Sequence, residues 1–127
     1  IWSWEGDGGL IAFHFFKRNL LATLSAIEII NKLFIYNRLN SRLGQPVELR
    51  LAVHTGSCEY SENEEDIKNS ETIKKILEIE SLHTKPNTVT ISDITSINLD
   101  HALVRHLVPL HMENSKKYLR YEMVLEN

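Results

Sequence analysis

Val47-Glu48-Leu49-Arg50-Leu51-Ala52-Val53-His54-Thr55-Gly56 is the stretch on which the fold turns. Val47, Leu49, Leu51 and Val53 alternate with Glu48, Arg50 and Ala52, the period of a strand that buries one face, and His54-Thr55-Gly56 finishes it. Upstream, Leu20, Leu24, Ile27, Ile30 and Phe34 recur at spacings of three and four and line one face of a long helix. Asn19 suits its N-cap, and Gly44 followed by Pro46 suits its end. Before the helix, Trp2 and Trp4 alternate around Ser3, and Leu10 to Phe16 is apolar and aromatic except for His14. Glu5-Gly6-Asp7-Gly8-Gly9 lies between these two strand patterns. Its glycines accept positive φ and its Asp favours turns, which predicts a hairpin with Asp7 at the tip.

Downstream, Ser57 to Ser70 is polar and carries Glu62, Glu64, Glu65 and Asp66, the composition of a solvated arm. Ile67, Ile73, Ile76, Leu77 and Ile79 predict an amphipathic helix to about Leu82, broken by Lys85-Pro86-Asn87. Thr88 to Ile91 is rich in β-branched residues and predicts a short strand, after which Ser92 caps a short helix. Leu103 to His111 suits either a strand or an extended connection, and Tyr118 to Leu125 alternates as a final strand. Hairpins mixed with helical crossovers predict an α+β sandwich, a mainly antiparallel sheet with helices on one face.

The 127 residues, 43% apolar and 24% charged, suit a single soluble globular domain over 1–127 and exclude disorder and collagen-like fibres. A formal net charge of -3 gives no general attraction to phosphate backbones or anionic membranes, so nucleic acid is not an expected partner. Cys58 is alone and cannot form an internal disulfide, which places the expectation in a reducing compartment, the cytoplasm. No apolar run approaches the ~20 residues that cross a bilayer, so no membrane span is expected. The N-terminus lacks the pattern of a signal peptide. The chain opens at Ile1 inside a strand pattern, as expected of a fragment of a larger protein.

Taken in order, several of these segments resemble the catalytic domain of class III adenylate and guanylate cyclases. Glu5 to Phe13 resembles the family's Gly-Asp hairpin, and Leu49 to Gly56 resembles its strand ending in His-Thr-Gly or His-Ser-Gly. Thr88-Val89-Thr90-Ile91-Ser92 resembles its late strand ending in serine, and Tyr121-Glu122-Met123-Val124 its final strand. The resemblance spans nearly the whole chain and implies a ferredoxin-like sandwich. It also implies assembly with a copy of itself, with another cyclase-like domain, or with neighbouring domains, because the family builds its sites between two units. In the family two aspartates hold two divalent cations, Mg²⁺ or Mn²⁺, that polarise the triphosphate and help activate the ribose 3′-hydroxyl. Asp7 matches the second aspartate, while the first would lie on a strand before Ile1. Local turn chemistry also accounts for Asp7. Ser3 stands at a purine-selecting position, and Asp66 matches the aspartate that contacts the base.

The departures from the family bear on chemistry. Placing the family's Arg-Leu-Glu on Ile76-Leu77-Glu78 or on Glu78-Ile79-Glu80 puts Ile76 or Glu78 where arginine belongs, and Thr72 or Lys74 where asparagine belongs. Losing one preorganised donor to a developing charge costs roughly 100- to 1000-fold in rate. No residue is therefore assigned a catalytic role, and Mg²⁺ or Mn²⁺ is expected only if the domain is active. The first expectation is a degenerate cyclase homology domain, a pseudoenzyme acting as an interaction or regulatory module in signal transduction. The alternative is an active domain that makes cyclic nucleotide from ATP or GTP with two metals. A third reading keeps only a sandwich that binds a small ligand or a protein. His101, His106 and His111 recur every five residues, which suits neither one helix face nor one strand face, so a metal site is not predicted there. His54, at the end of a buried strand, reads as structural.

Overall fold

The computed structural model describes residues 2–4, 8–14, 17–40, 44, 46–57, 62–63, 65–66, 69–112 and 117–123. The tip of the expected hairpin, including Asp7, lies outside them, as do Cys58, Glu64 and Ile67. Strands β1 (Trp2–Trp4) and β2 (Gly8–Leu10) pair antiparallel with Trp2 opposite Leu10, Ser3 opposite Gly9 and Trp4 opposite Gly8. The hairpin expected from Gly-Asp-Gly-Gly is therefore present, with a second strand shorter than the apolar run suggested. Helix α1 (Arg18–Leu39) follows, then β3 (Arg50–Val53), α2 (Glu71–His83), β4 (Thr88–Ile91), α3 (Asp93–Ile97), α4 (His101–Val104), β5 (Val108–His111) and β6 (Lys117–Glu122).

The last four strands form one mixed sheet in the order β3-β4-β6-β5. The β3–β4 ladder is parallel and the other two are antiparallel. Side chains alternate across this sheet. Val89 and Ile91 join Ala26 and Ile30 of α1 with Leu99 and Leu107 in the main core, and Leu49, Leu51, Val53, Leu119 and Tyr121 pack against it. The intervening residues point the other way. Arg50 of β3 pairs with Glu80 of α2 at 3.0 Å, Tyr118 of β6 meets the His83 ring edge-on, and Thr90 Oγ1 donates to the His83 carbonyl. Helices thus cover both faces, α1 one and α2 the other, where the sequence had led us to expect them on one. The α+β class stands.

This explains why all four residues of β4 are buried. A Thr-Val-Thr-Ile pattern reads as half-exposed, yet the threonines are satisfied against α2 and its connection. Thr88 Oγ1 donates to the Lys85 carbonyl, and the single Thr84 hydroxyl hydrogen has two acceptors within reach, the Ile79 carbonyl and Thr90 Oγ1, each at 2.9 Å. Buried hydroxyls with partners cost little, whereas buried hydroxyls without them cost about 1–3 kcal/mol.

Helix α1 departs from its expected limits at both ends. It stops at Leu39, where Asn40 sends its backbone N–H and its side-chain Nδ2 to the Tyr36 carbonyl, five residues before Gly44. Its N-cap is Lys17, in the left-handed region at φ 60°, and Asn19 is committed elsewhere. Its core face runs through Leu20, Ala26, Ile27 and Ile30, with Leu24 exposed. By length and composition α1 also meets the test for a membrane-crossing helix, which the search for unbroken apolar runs had not suggested. Here it is docked on the sheet. Asn31 Oδ1 accepts from the Tyr121 hydroxyl at 2.6 Å, and the Asn37 amide exchanges two hydrogen bonds with the Val47 backbone.

The segment left open by the sequence resolves into two elements. Asp100 caps α4 by accepting from the Ala102 N–H, and β5 follows with Pro109 inside it. A proline fits there because β5 is an edge strand, where a missing N–H breaks no ladder on the outer side.

Candidate functional site

Parallel pairing of β3 with β4 makes both strands leave the sheet at the same end, the position at which α/β sheets collect functional side chains. Register places Val53 beside Ile91, so His54-Thr55-Gly56 and Ser92 emerge side by side, and the Ser92 N–H donates to the Val53 carbonyl at 3.0 Å. Ser92 is the N-cap of α3, but its hydroxyl makes no capping bond. It is diverted into a polar cluster that also takes in Thr95 of α3 and Asn19 from the first turn of α1.

Four contacts connect the cluster. His54 Nδ1 lies 2.8 Å from Ser92 Oγ, Ser92 Oγ lies 3.0 Å from Thr95 Oγ1, Thr95 Oγ1 lies 2.9 Å from Thr55 Oγ1, and Thr55 Oγ1 donates to Asn19 Oδ1 at 2.8 Å. Counting protons fixes the direction of the chain, because each hydroxyl has a single hydrogen to give. Thr55 gives its hydrogen to Asn19, so Thr95 must donate to Thr55. Ser92 must then donate to Thr95, and His54 Nδ1–H must donate to Ser92. In this direction His54 Nδ1 carries the hydrogen given to Ser92. Aligned chains of this kind polarise one another and strengthen each bond.

That direction decides what the cluster can do. In a serine nucleophile the hydroxyl donates its proton to a histidine acting as base. Here the histidine donates to the serine, and Ser92 and Thr95 are fully buried. The arrangement is a clamp that ties α1, β3 and α3 together, not a nucleophile with its base. One helical turn after Asn19, Thr23 is also fully buried, and its Oγ1 has no partner. Gly56 closes the clamp on its other side. A Cβ added there would stand 2.5 Å from Thr72 Oγ1 and 2.7 Å from Thr72 Cγ2, and Thr72 Oγ1 donates to the Ser57 carbonyl at 2.6 Å. Absence of a side chain at 56 therefore lets the end of β3 lie against the first turn of α2.

The residues singled out from the sequence fall around α2. Leu10 of β2 packs on Ile73, with Ile76 and Leu77 beside them, so the hairpin rests on the first turns of that helix. Asp66 is exposed on the arm just before it, next to a turn in which Asn63 Oδ1 accepts from the Glu65 N–H. Ser3 sits opposite Gly9 in β1, and Asp7 lies outside the described residues. Of the positions weighed for the missing asparagine and arginine, Thr72 is tied to Ser57, Lys74 stands 3.9 Å from Glu71, Ile76 is packed beneath the hairpin, and Glu78 stands 3.8 Å from Lys75. Among the described residues, no three His, Cys, Asp or Glu side chains gather into a group able to hold a metal ion.

The hydroxyl chain was not apparent in the sequence. Its partners come from segments 36 to 40 residues apart, and only the serine and threonine at strand and helix ends hinted at it. No protein-family model, curated protein or solved structure matches this chain.

Proposed function

We propose that this chain is a degenerate class III nucleotide cyclase homology domain that acts as a regulatory or interaction module in a signalling protein. The observation that carries this reading is the adjacency of His54-Thr55-Gly56 and Ser92 at the ends of two parallel strands. Two segments that resemble separate cyclase motifs thereby meet in one buried clamp. A third such segment, Tyr121-Glu122, lies on the neighbouring strand, with Glu122 opposite Thr88. The scaffold is kept by interactions that need no ligand. On this reading Ile76 or Glu78, depending on the alignment, stands where a cyclase would offer a guanidinium, and in the second case a carboxylate there repels a polyphosphate.

The proposed partner is a second cyclase-like domain or a neighbouring domain of the same protein. Exposed Leu21, Ile29, Ile35, Tyr36 and Leu39 on α1 offer apolar contact area for it. The chemical half of the proposal is tested by incubating the full-length protein with ATP or GTP and Mn²⁺ or Mg²⁺, then assaying cyclic nucleotide and pyrophosphate. No product above the protein-free blank is expected. Turnover that disappears on Asp7→Ala overturns the reading and establishes an active cyclase.

A further inference from the structure

On the α2 face of the sheet, an open pocket of about 320 Å³ lies between the end of α2 and the β5–β6 edge, lined by Leu82, His83, Thr84, Lys85, Leu110, His111, Met112 and Arg120. Among the described residues of the lining, four carry basic nitrogen and none is acidic. Arg120 is half-buried, and its Nε is shielded from solvent without a hydrogen-bond partner. That one N–H has lost water and gained no acceptor, and a guanidinium with a donor to spare, in a pocket lined by other basic groups, suits an oxyanion.

The surroundings favour an anion further. The end of a helix ordinarily presents bare carbonyls that repel negative charge. Here the last of these, the His83 carbonyl, accepts from Thr90 Oγ1. The nearby Glu80 carboxylate is engaged by Arg50 at 3.0 Å. His83 is held at the wall by its edge-on contact with Tyr118, with ring centres 5.9 Å apart.

We infer that this pocket binds the phosphoryl group of a small organic phosphate. Lys85 and Arg120 supply cationic donors, and the His83 and His111 rings add nitrogen atoms able to donate. A phosphomonoester, with about -1.5 to -2 charges at pH 7, matches such a set better than the single charge of a carboxylate. Leu82, Leu110 and Met112 supply apolar wall for the organic body of the ester. The site is separate from the His54 clamp and does not rest on the cyclase reading.

Calorimetric titration of the chain with phenyl phosphate, alongside inorganic phosphate and benzoate, tests the assignment. Saturable binding of phenyl phosphate is expected, tighter than that of either control. Lys85→Gln and Arg120→Gln are each expected to weaken it by about tenfold or more, the loss of one charge-assisted contact. Lys85 is exposed, so its variant keeps the test decisive even if Arg120→Gln fails to fold. Phenyl phosphate binding that is absent, or unchanged in Lys85→Gln, overturns the proposal. Benzoate binding as tightly as phenyl phosphate overturns the phosphoryl assignment, and inorganic phosphate doing so overturns the organic one.

Discussion

Two polar regions flank the same strand of this protein and are built on opposite principles. Around Ser92, just past the end of β4, every hydrogen in the chain from His54 to Asn19 has an acceptor and every hydroxyl is used once. On the α2 face beside β6, Arg120 Nε is buried with no acceptor, in a pocket whose lining is basic. A polar group whose capacity is spent inside the protein stabilises the fold. One whose capacity is unspent is available to something else. By that criterion the His54 cluster, which a motif search would nominate as a site, is structural, and the Arg120 pocket, which no motif announces, is the better binding candidate.

The sharpest way to break this contrast is to remove one link of the closed chain. Thr95→Val keeps shape but leaves Ser92 without an acceptor and Thr55 without a donor. It should cost about 1–3 kcal/mol, the cost of leaving the buried Ser92 hydroxyl hydrogen without an acceptor, as read from urea unfolding. A loss within experimental error would mean that the chain is not closed. Gly56→Ala should cost less, about 1–2 kcal/mol, because the new methyl pushes Thr72 aside and weakens its bond to Ser57. Shortening the opposing side chain with Thr72→Ala should recover part of that loss in the double variant.

The open region predicts smaller numbers. The Tyr118 hydroxyl beside Lys75 holds its ammonium above the usual lysine range, with a lesser contribution from Glu78. A folded-state pKa raised above the unfolded 10.5 stabilises fully at lower pH and fades as pH climbs through the folded value. Lys75→Met should therefore lower the urea midpoint slightly at pH 7, and the gap from the unsubstituted chain should narrow above pH ~10.5. A gap that widens there reverses the sign. Last, Arg120→Gln should change stability by no more than about 0.5 kcal/mol, because the shielded Nε makes no hydrogen bond that the substitution would remove. A marked loss would show that Arg120 has a structural role and would merge the two regions into one kind.

Much of the element order could be read in advance, and the reasons are local. Thr88–Ile91 emerges with its limits intact because a β-branched run is bounded by Lys85-Pro86-Asn87 on one side and Ser92 on the other. The second long helix and the hairpin follow from equally local signals. What escaped depended on distant partners. Asn19 has the chemistry of an N-cap, but Thr55 claims its oxygen. Gly44 has the chemistry of a helix stop, but the Asn40 side chain ends the helix first. Coverage of both sheet faces was hidden because Thr88 and Thr90 resemble solvent-facing residues until the carbonyls of α2 and its connection satisfy them. For the candidate site, composition could suggest a structural His54. It could not bring Arg120 together with Lys85, which lies 35 positions away in the sequence.

Two asparagines give the sheet a property that the strands alone would lack. Asn37 exchanges a pair of hydrogen bonds with the Val47 backbone, and Asn87, in the left-handed region at φ 63°, does the same with Leu49 through its own N–H and side-chain oxygen. Alignment of β3 is thus set by side chains from a helix and a turn, independently of the link between Asn40 and Pro46. That link is a natural place for grafting: a reporter peptide or an affinity tag spliced there should leave the strand in step with its neighbour.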